Sequence, residues 1–87
     1  MSLDDGSLLT FPCDVPIKVF GRNDIAFRAA AAAVARAHYH DAHTITEQVS
    51  RNGNYLSLTI TVKAQSRAEL DAVYHALVAS DDILMVL

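Results

Sequence analysis

The fold of this chain is decided by residues 51–63, which read Arg-Asn-Gly-Asn-Tyr-Leu-Ser-Leu-Thr-Ile-Thr-Val-Lys. From Tyr55 onward apolar and polar residues alternate, a pattern typical of a strand with one buried and one exposed face. The Asn52-Gly53 pair favours a two-residue type I′ turn, because such turns need positive φ at both central positions. The stretch therefore predicts a β-hairpin whose second strand runs from Tyr55 to Lys63.

The same turn sets the register of the preceding strand, Thr44 to Ser50. Three inward residues of that strand pair with the apolar row of the next one: Val49 with Leu56, Glu47 with Leu58, and Ile45 with Ile60. The inward row thus contains the carboxylate of Glu47, and an inward-pointing charge is a known protection for an edge strand. The second strand of the sheet is therefore predicted to lie at an edge.

Two helices and two further strands flank this hairpin. Pro16 to Phe20 reads as a first strand with its proline at the beginning, and Ile83 to Leu87 as a last strand that is apolar on both faces. Asn23 or Asp24 caps a helix that runs to about His40, with an inward row of Phe27, Ala30, Ala31, Val34 and His38. A capping box at Ser66 and Glu69 begins the second helix, whose apolar face is Leu70, Val73, Tyr74 and Leu77.

The element order β, α, β, β, α, β predicts an α+β ferredoxin-like sandwich. Right-handed crossovers put both helices on one face of a four-stranded antiparallel sheet with strand order 4-1-3-2. This order also places the second strand at an edge. Residues 1–10 are expected to form a flexible N-terminal segment, and residues 11–87 a single domain.

The sheet face opposite the helices, called the open face below, is the predicted interaction surface. Its predicted members are Phe20, Tyr55, Ser57, Thr59 and Thr61. Apolar residues on an open face favour a covering partner, and two candidates are the Leu8–Phe11 segment and a second copy of the chain. A protein partner or self-association is expected, and a small ligand is the alternative.

Composition excludes several classes of protein. The chain has 87 residues, 52% hydrophobic and 20% charged, with a net charge of −3, which is typical of a folded soluble domain. Its basic residues are spread along the sequence, which argues against nucleic-acid binding. No segment resembles a membrane span or a signal peptide, so a cytoplasmic location is expected. The single cysteine, Cys13, allows neither an internal disulfide nor a four-cysteine zinc site.

Three groups of residues resemble the YbeD-like family of small bacterial proteins of undefined function. They are Phe11-Pro12-Cys13-Asp14 with Pro16-Ile17-Lys18-Val19 and Gly21, then Ser50 with Gly53-Asn54-Tyr55-Leu56-Ser57, and the terminal Met85-Val86-Leu87. The resemblance covers residues 11–87 and implies a fold similar to ACT domains, which sense small ligands and pair through their sheets. It implies no active site, and Glu47 departs from the apolar residue expected at its position.

The loop Gly21, Arg22, Asn23 and Asp24 is a candidate ligand site. Free N–H groups at a helix N-terminus and a neighbouring arginine suit an anion, and the corresponding loop binds small ligands in the ACT domains that the chain resembles. An ordinary turn and N-cap is the preferred interpretation. Acylphosphatases share this topology, so Arg22 with Asn54 is an alternative phosphate-handling enzyme site, although their longer glycine-containing loop is missing.

The remaining candidates carry weaker signals. His38, His40, Asp41 and His43 have metal-ligand spacing, but histidines at a helix C-terminus also complement its dipole. No metal site is therefore assigned, and metal binding at these histidines is kept as an alternative function. Phe20 and Tyr55 resemble the stacking aromatics of RNA-binding sheets, and the acidity of the chain counts against that function. Cys13 has no feature that lowers a thiol pKa. The prediction is a non-catalytic regulatory or interaction domain without a cofactor.

Overall fold

A computed structural model of the chain describes residues 10–40 and 43–87. The elements are β1 (Cys13–Arg22), α1 (Ile25–Tyr39), β2 (His43–Val49), β3 (Tyr55–Ala64), α2 (Arg67–Ala79) and β4 (Met85–Val86). The strands form an antiparallel sheet in the order β2-β3-β1-β4. The predicted ferredoxin-like α+β sandwich and the edge position of the second strand are confirmed. The predicted flexible segment falls, except for Thr10, outside the described residues.

The inward row of β3 is the centre of the core. Its members Leu56, Leu58, Ile60 and Val62 are each at most 2% exposed. They pair with β2 in the predicted register, Leu58 opposite Glu47, and with the inward residues of β1 on the other side. Both helices pack on this face, α2 through Leu70, Val73 and Leu77. Neither helix is long and apolar enough to cross a membrane, as far as the described residues go.

The inward row of α1 differs from the prediction at its end. The buried residues are Phe27, Ala31, Ala35 and Tyr39, a strict four-residue repeat that leads from Phe27 to Tyr39. His38 is only half-buried, so the prediction that it belongs to the core-facing row was wrong. Alanine dominates the row, and Phe27 and Tyr39 therefore supply most of its apolar contact.

The hairpin loop has four residues, and the predicted type I′ turn is wrong. The Ser50 N–H donates to the Tyr55 carbonyl at 2.8 Å, and the Gly53 N–H donates to the Ser50 carbonyl at 2.9 Å. Gly53 has φ of 80°, whereas Asn52 does not have positive φ. Both loops are centred between Asn52 and Gly53, so the register of the hairpin is the same in either case.

The first and last strands differ in length from their predictions. β1 begins at Cys13, which places Pro16 inside a central strand. The carbonyls of Lys18 and Phe20 accept bonds from the β4 segment, and Pro16 points the same way by the alternation of the backbone. β4 pairs only with Val19 and Phe20, so no strand lies beside β1 at Pro16. The missing N–H of Pro16 therefore costs no hydrogen bond of the sheet.

Phe11 lies against the core on the helix side of the sheet. Phe11 therefore does not cover the open face, which counts against the Leu8–Phe11 segment, one of the two candidates for that cover. Leu8 and Leu9 lie outside the described residues. Phe11 lies two residues before Cys13, the first residue of β1, and Cys13 shares its side of the strand with the inward residues Ile17 and Val19.

Glu47 is accommodated at the sheet edge by an arginine of α1. The Arg28 guanidinium donates two hydrogen bonds of 3.2 Å each to the two oxygens of the Glu47 carboxylate. This hydrogen-bonded pairing lowers the pKa of Glu47 and raises the pKa of Arg28. The carboxylate thus sits on the helix side of β2 without entering the core.

The predicted capping box begins α2. The Ser66 hydroxyl accepts from the Glu69 N–H at 3.1 Å, while the Glu69 carboxylate accepts from the Gln65 N–H at 2.9 Å, one residue before the position a standard box uses. The Glu69 carboxylate also affects the pKa of Tyr39, at the end of α1. Burial first, and the negative charge of Glu69 second, raise the pKa of Tyr39 to about 12.

Replacing Tyr39 with phenylalanine is expected to leave the stability unchanged or to increase it. The Tyr39 hydroxyl is buried and makes no hydrogen bond of good geometry among the described residues, although the Glu69 carboxylate is near enough to affect its pKa, and removing an unsatisfied polar group removes its desolvation cost. The raised pKa adds a pH dependence. Above pH 10 the Tyr39 hydroxyl ionises in the unfolded chain but not yet in the folded one, so the free energy of unfolding of the wild type falls as the pH rises from 10 through about 12. Thermal melts of both proteins from pH 8 upward should show a steeper alkaline loss in the wild type. Parallel curves would contradict the assignment.

Candidate interaction site

The loop between β1 and α1 is braced against the hairpin. The Asn23 N–H donates to the Asn54 carbonyl at 3.0 Å, and the Asn23 side-chain amide donates to the Gly53 carbonyl at 2.9 Å. Gly21 is buried, and a side-chain carbon built on it would lie 2.3 Å from the Phe27 ring. Sequence reasoning missed this brace, because its partners are 30 residues apart.

The N-terminus of α1 is already supplied with an anionic group. The Asp24 carboxylate accepts from the Phe27 N–H at 2.8 Å, which makes Asp24, one of the two N-cap candidates in the sequence, the N-cap of α1. A carboxylate in this position complements the helix dipole and occupies the place that a bound anion would take. Of the four predicted loop residues, Gly21, Asn23 and Asp24 thus have structural roles, and Arg22 is exposed at the end of β1.

The register of β1 and β3 brings Arg22 to the predicted open-face residues. Arg22 pairs with Tyr55, and Phe20 pairs with Ser57, so Phe20 and Tyr55 are diagonal neighbours on the open face. Tyr55 is 48% exposed, and Phe20 is half-buried. The two regions that the sequence suggested separately, the loop and the open face, therefore meet at one end of the sheet.

An open groove of about 290 Å³ lies at this end of the sheet. Its lining consists of residues from β1 and both hairpin strands: Lys18, Phe20, Gln48, Val49, Ser50, Tyr55, Leu56 and Ser57. Three of the predicted surface residues thus line one concave site. The other two, Thr59 and Thr61, continue the row toward the far end of the sheet, opposite Lys18 and Pro16.

The groove end of the open face is cationic. Lys18 and Arg22 are exposed on either side of Phe20 in β1, and alternation directs all three to the same face. The third lysine or arginine of this face, Lys63, lies at the far end directly opposite Asp14, so that pair is balanced. Spread along the sequence, the basic residues looked unclustered, and the alternation of β1 is what places Lys18 and Arg22 on one face.

The β4 side of the open face is apolar. Met85 pairs with Phe20 and is 55% exposed, and Leu87 is 62% exposed. Leu84, on the other side of the sheet, is 58% exposed. The prediction that Ile83 to Leu87 forms a strand with two dry faces was wrong, because β4 has only the two residues Met85 and Val86, and Ile83, which precedes it, is the one fully buried residue of this segment.

The histidines do not form a complete ligand set in the described part of the chain. His38 is half-buried, His40 is exposed, and His43 begins β2; Asp41 lies outside the described residues. Within residues 10–40 and 43–87, no three His, Cys, Asp or Glu side chains come together in a way that suits a metal ion. The Nδ1 atom of His43 is buried without a hydrogen-bond partner there.

Comparisons with known proteins give a family and a fold. A family model described as "Protein of unknown function (DUF493)" matches residues 6–87. UPF0250 protein NE1487 of Nitrosomonas europaea is 40% identical over 77 residues, which cover 86% of this chain and 88% of that protein. A UPF0250 protein of Paraburkholderia phytofirmans is 39% identical over an alignment of 89 residues, which covers 100% of this chain and 100% of that protein.

A solved structure shares the architecture. The solution structure of protein HP0495 from H. pylori superimposes with a TM-score of 0.67 over 100% of this chain and 94% of that chain. The sequence identity is 12%, so the similarity concerns the fold alone. It supports the same sandwich of two helices on one face of a four-stranded sheet.

Proposed function

This chain belongs to the DUF493 family, whose function is undefined. From the structure of the open face we propose that it is a small non-catalytic domain that binds a partner protein on that face. The resemblance to the YbeD-like family, seen in the sequence, agrees with this membership. A regulatory role is part of the proposal, since a domain without chemistry of its own acts only through the partner that it binds.

One observation carries the proposal: an apolar and cationic groove on a face that no element of the described chain covers. The helix side of the sheet holds the whole core, whereas Tyr55 and Met85 are about half exposed on the other side. Exposed aromatic and methionine side chains are enriched at protein interfaces. We therefore assign Phe20 and Tyr55 as the apolar anchors of the site.

The charge of the groove defines the partner as an acidic segment with an apolar side chain. Lys18 and Arg22 flank Phe20, and the groove lining contains no carboxylate. Complementary charge on the partner speeds association and selects against basic competitors. The groove, about 290 Å³ in volume, has room for one or two side chains of a partner protein.

A peptide selection tests this assignment. A phage-displayed library of random dodecapeptides selected on the full chain should yield sequences rich in Asp and Glu around an aromatic or aliphatic residue. We expect the affinity of these peptides to fall about tenfold or more for Tyr55→Ala, which removes an anchor, and to fall for Lys18→Glu in a salt-dependent way. Amide shifts of the labelled protein should map binding to β1 and β3.

The control variant is Val78→Ala, on the helix side, where Val78 is 69% exposed. It should bind the selected peptides like the wild type. Peptides without acidic residues, or equal binding by all variants, would contradict the proposal. Fluorescein-labelled single-stranded poly(U) is the second probe, and tighter binding of this RNA than of any peptide would replace the protein partner with a nucleic acid.

A further inference from the structure

The outer edge of β2 presents a row of unpaired backbone groups. The Ser50 N–H points to β3, so by alternation the even-numbered residues of β2 bond to β3. The odd-numbered residues direct their N–H and C=O groups away from the sheet: His43, Ile45, Glu47 and Val49. This edge is a template for another strand.

The protections common at sheet edges are missing from β2. Its sequence, His-Thr-Ile-Thr-Glu-Gln-Val, contains no proline and no lysine, and its pairing with β3 runs through all seven residues without a bulge. The one inward charge, Glu47, is held by the two 3.2 Å bonds from Arg28. Arg28 partly balances this charge, so Glu47 does not exclude an approaching strand that places an uncharged residue opposite it.

We propose that β2 pairs with β2 of a second copy of this chain, antiparallel about a two-fold axis at Thr46. In this register Ile45 pairs with Glu47 of the second copy, and His43 pairs with Val49 of the second copy. The reciprocal pairs follow from the symmetry. Every outward residue then belongs to a closely bonded pair, and each such pair exchanges two backbone hydrogen bonds. The inference concerns the backbone edge of β2, which adjoins the groove at Gln48 and Val49, and it does not depend on the proposed function.

Charge and length select this register over its neighbours. A shift of two residues toward the C-terminus would set Glu47 opposite Glu47 of the second copy, and like charges directly opposite each other are destabilising. A shift of two residues the other way would pair Val49 with residue 41, outside β2, and leave one pair fewer. On the open face the favoured register places Thr46 against Thr46 and Thr44 against Gln48, which are uncharged pairs.

The consequence is a continuous sheet of eight strands with both helix layers on one side. Because the axis is perpendicular to the sheet, the open faces of the two copies also lie side by side. Two grooves, each with its own Lys18, Phe20 and Tyr55, would then face the same direction. Such an arrangement suits a partner with two acidic segments, since linked sites gain affinity from each other.

Disulfide trapping tests the register in a Cys13→Ser background. Thr46 and its symmetry mate form a pair that is not hydrogen-bonded, with Cα atoms about 4.5 Å apart, within the range of about 4.4–6.8 Å that disulfides require. Thr46→Cys should therefore form a covalent dimer on mild oxidation. Thr44→Cys is the matched control, because Thr44 faces Gln48 and lies several residues from its own mate. Equal cross-linking of both variants would overturn the register.

Sedimentation velocity tests the association itself without a new cysteine. The wild type should show a concentration-dependent dimer, and Thr46→Lys should weaken it about fivefold or more, since two lysines then face each other. Thr44→Lys should keep the dimer, and circular dichroism should show that both variants are folded. A wild type that stays monomeric at the millimolar concentrations of an NMR sample overturns the proposal. A dimer that Tyr55→Ala disrupts and Thr46→Lys does not would place the contact on the open face and would also overturn it.

Discussion

Replacing Phe27 with alanine is expected to lower the free energy of unfolding by about 3–5 kcal/mol, the usual cost of truncating a buried aromatic residue. Phe27 is 1% exposed and is the largest fully buried side chain of the described residues. Domains of this size have small cores and total stabilities of about 5–15 kcal/mol. We therefore expect a large part of the Phe27→Ala protein to be unfolded at physiological temperature.

The measurement is urea denaturation followed by far-UV circular dichroism. The matched control is Ile25→Ala, two residues earlier on α1, because Ile25 is a large apolar residue that is 82% exposed. Its stability should stay within about 0.5 kcal/mol of the wild type. Similar midpoints for Phe27→Ala and Ile25→Ala would mean that α1 does not depend on the Phe27 contact.

The composition of α1 explains why one residue matters so much. Its other buried positions include Ala31 and Ala35, which bury little area, and alanine promotes the helix mainly through intrinsic propensity. Propensity forms a helix but does not attach it to a sheet. The attachment of α1 therefore depends on Phe27 at its beginning and on Tyr39 at its end.

The fold could be predicted because its signals are local and agree with each other. Alternation from Tyr55 to Lys63 identifies the core row, and the hairpin register follows from its centre at Asn52 and Gly53. The inward charge of Glu47 and the strand order each placed β2 at the edge. Where local signals were ambiguous the predictions failed: a single glycine with positive φ is compatible with a four-residue loop as well as with a type I′ turn.

The candidate site was only partly accessible from the sequence. Phe20, Tyr55 and Ser57 were placed on the open face by alternation, and they do line the groove. The role of Lys18 was missed, because its position beside Phe20 has meaning only once β1 and β3 are paired. The brace between Asn23 and the Gly53 carbonyl has no sequence signature, since either residue alone reads as an ordinary turn former.

Replacing Gly21 with alanine is expected to destabilise the domain by about 1–3 kcal/mol, the range for overpacking a filled core. The new methyl group would lie 2.3 Å from one carbon of the Phe27 ring and 2.4 Å from another. A buried ring cannot yield as a flexible chain end would, so either the ring or the start of α1 must move. Crowding is the cause, because φ of Gly21 is not in the positive range.

A double-mutant cycle in urea separates crowding from other effects. In a Phe27→Leu background the ring is gone, so Gly21→Ala should cost less than in the wild type, with a coupling of about 0.5 kcal/mol or more. Gly53 is the matched control: it has φ of 80° and nothing within 4 Å of an added carbon. Gly53→Asn should therefore be milder than Gly53→Ala, because asparagine tolerates that conformation, and neither should couple to Phe27→Leu. If Gly21→Ala costs the same in both backgrounds, the close approach of β1 to Phe27 is not what requires glycine at this position.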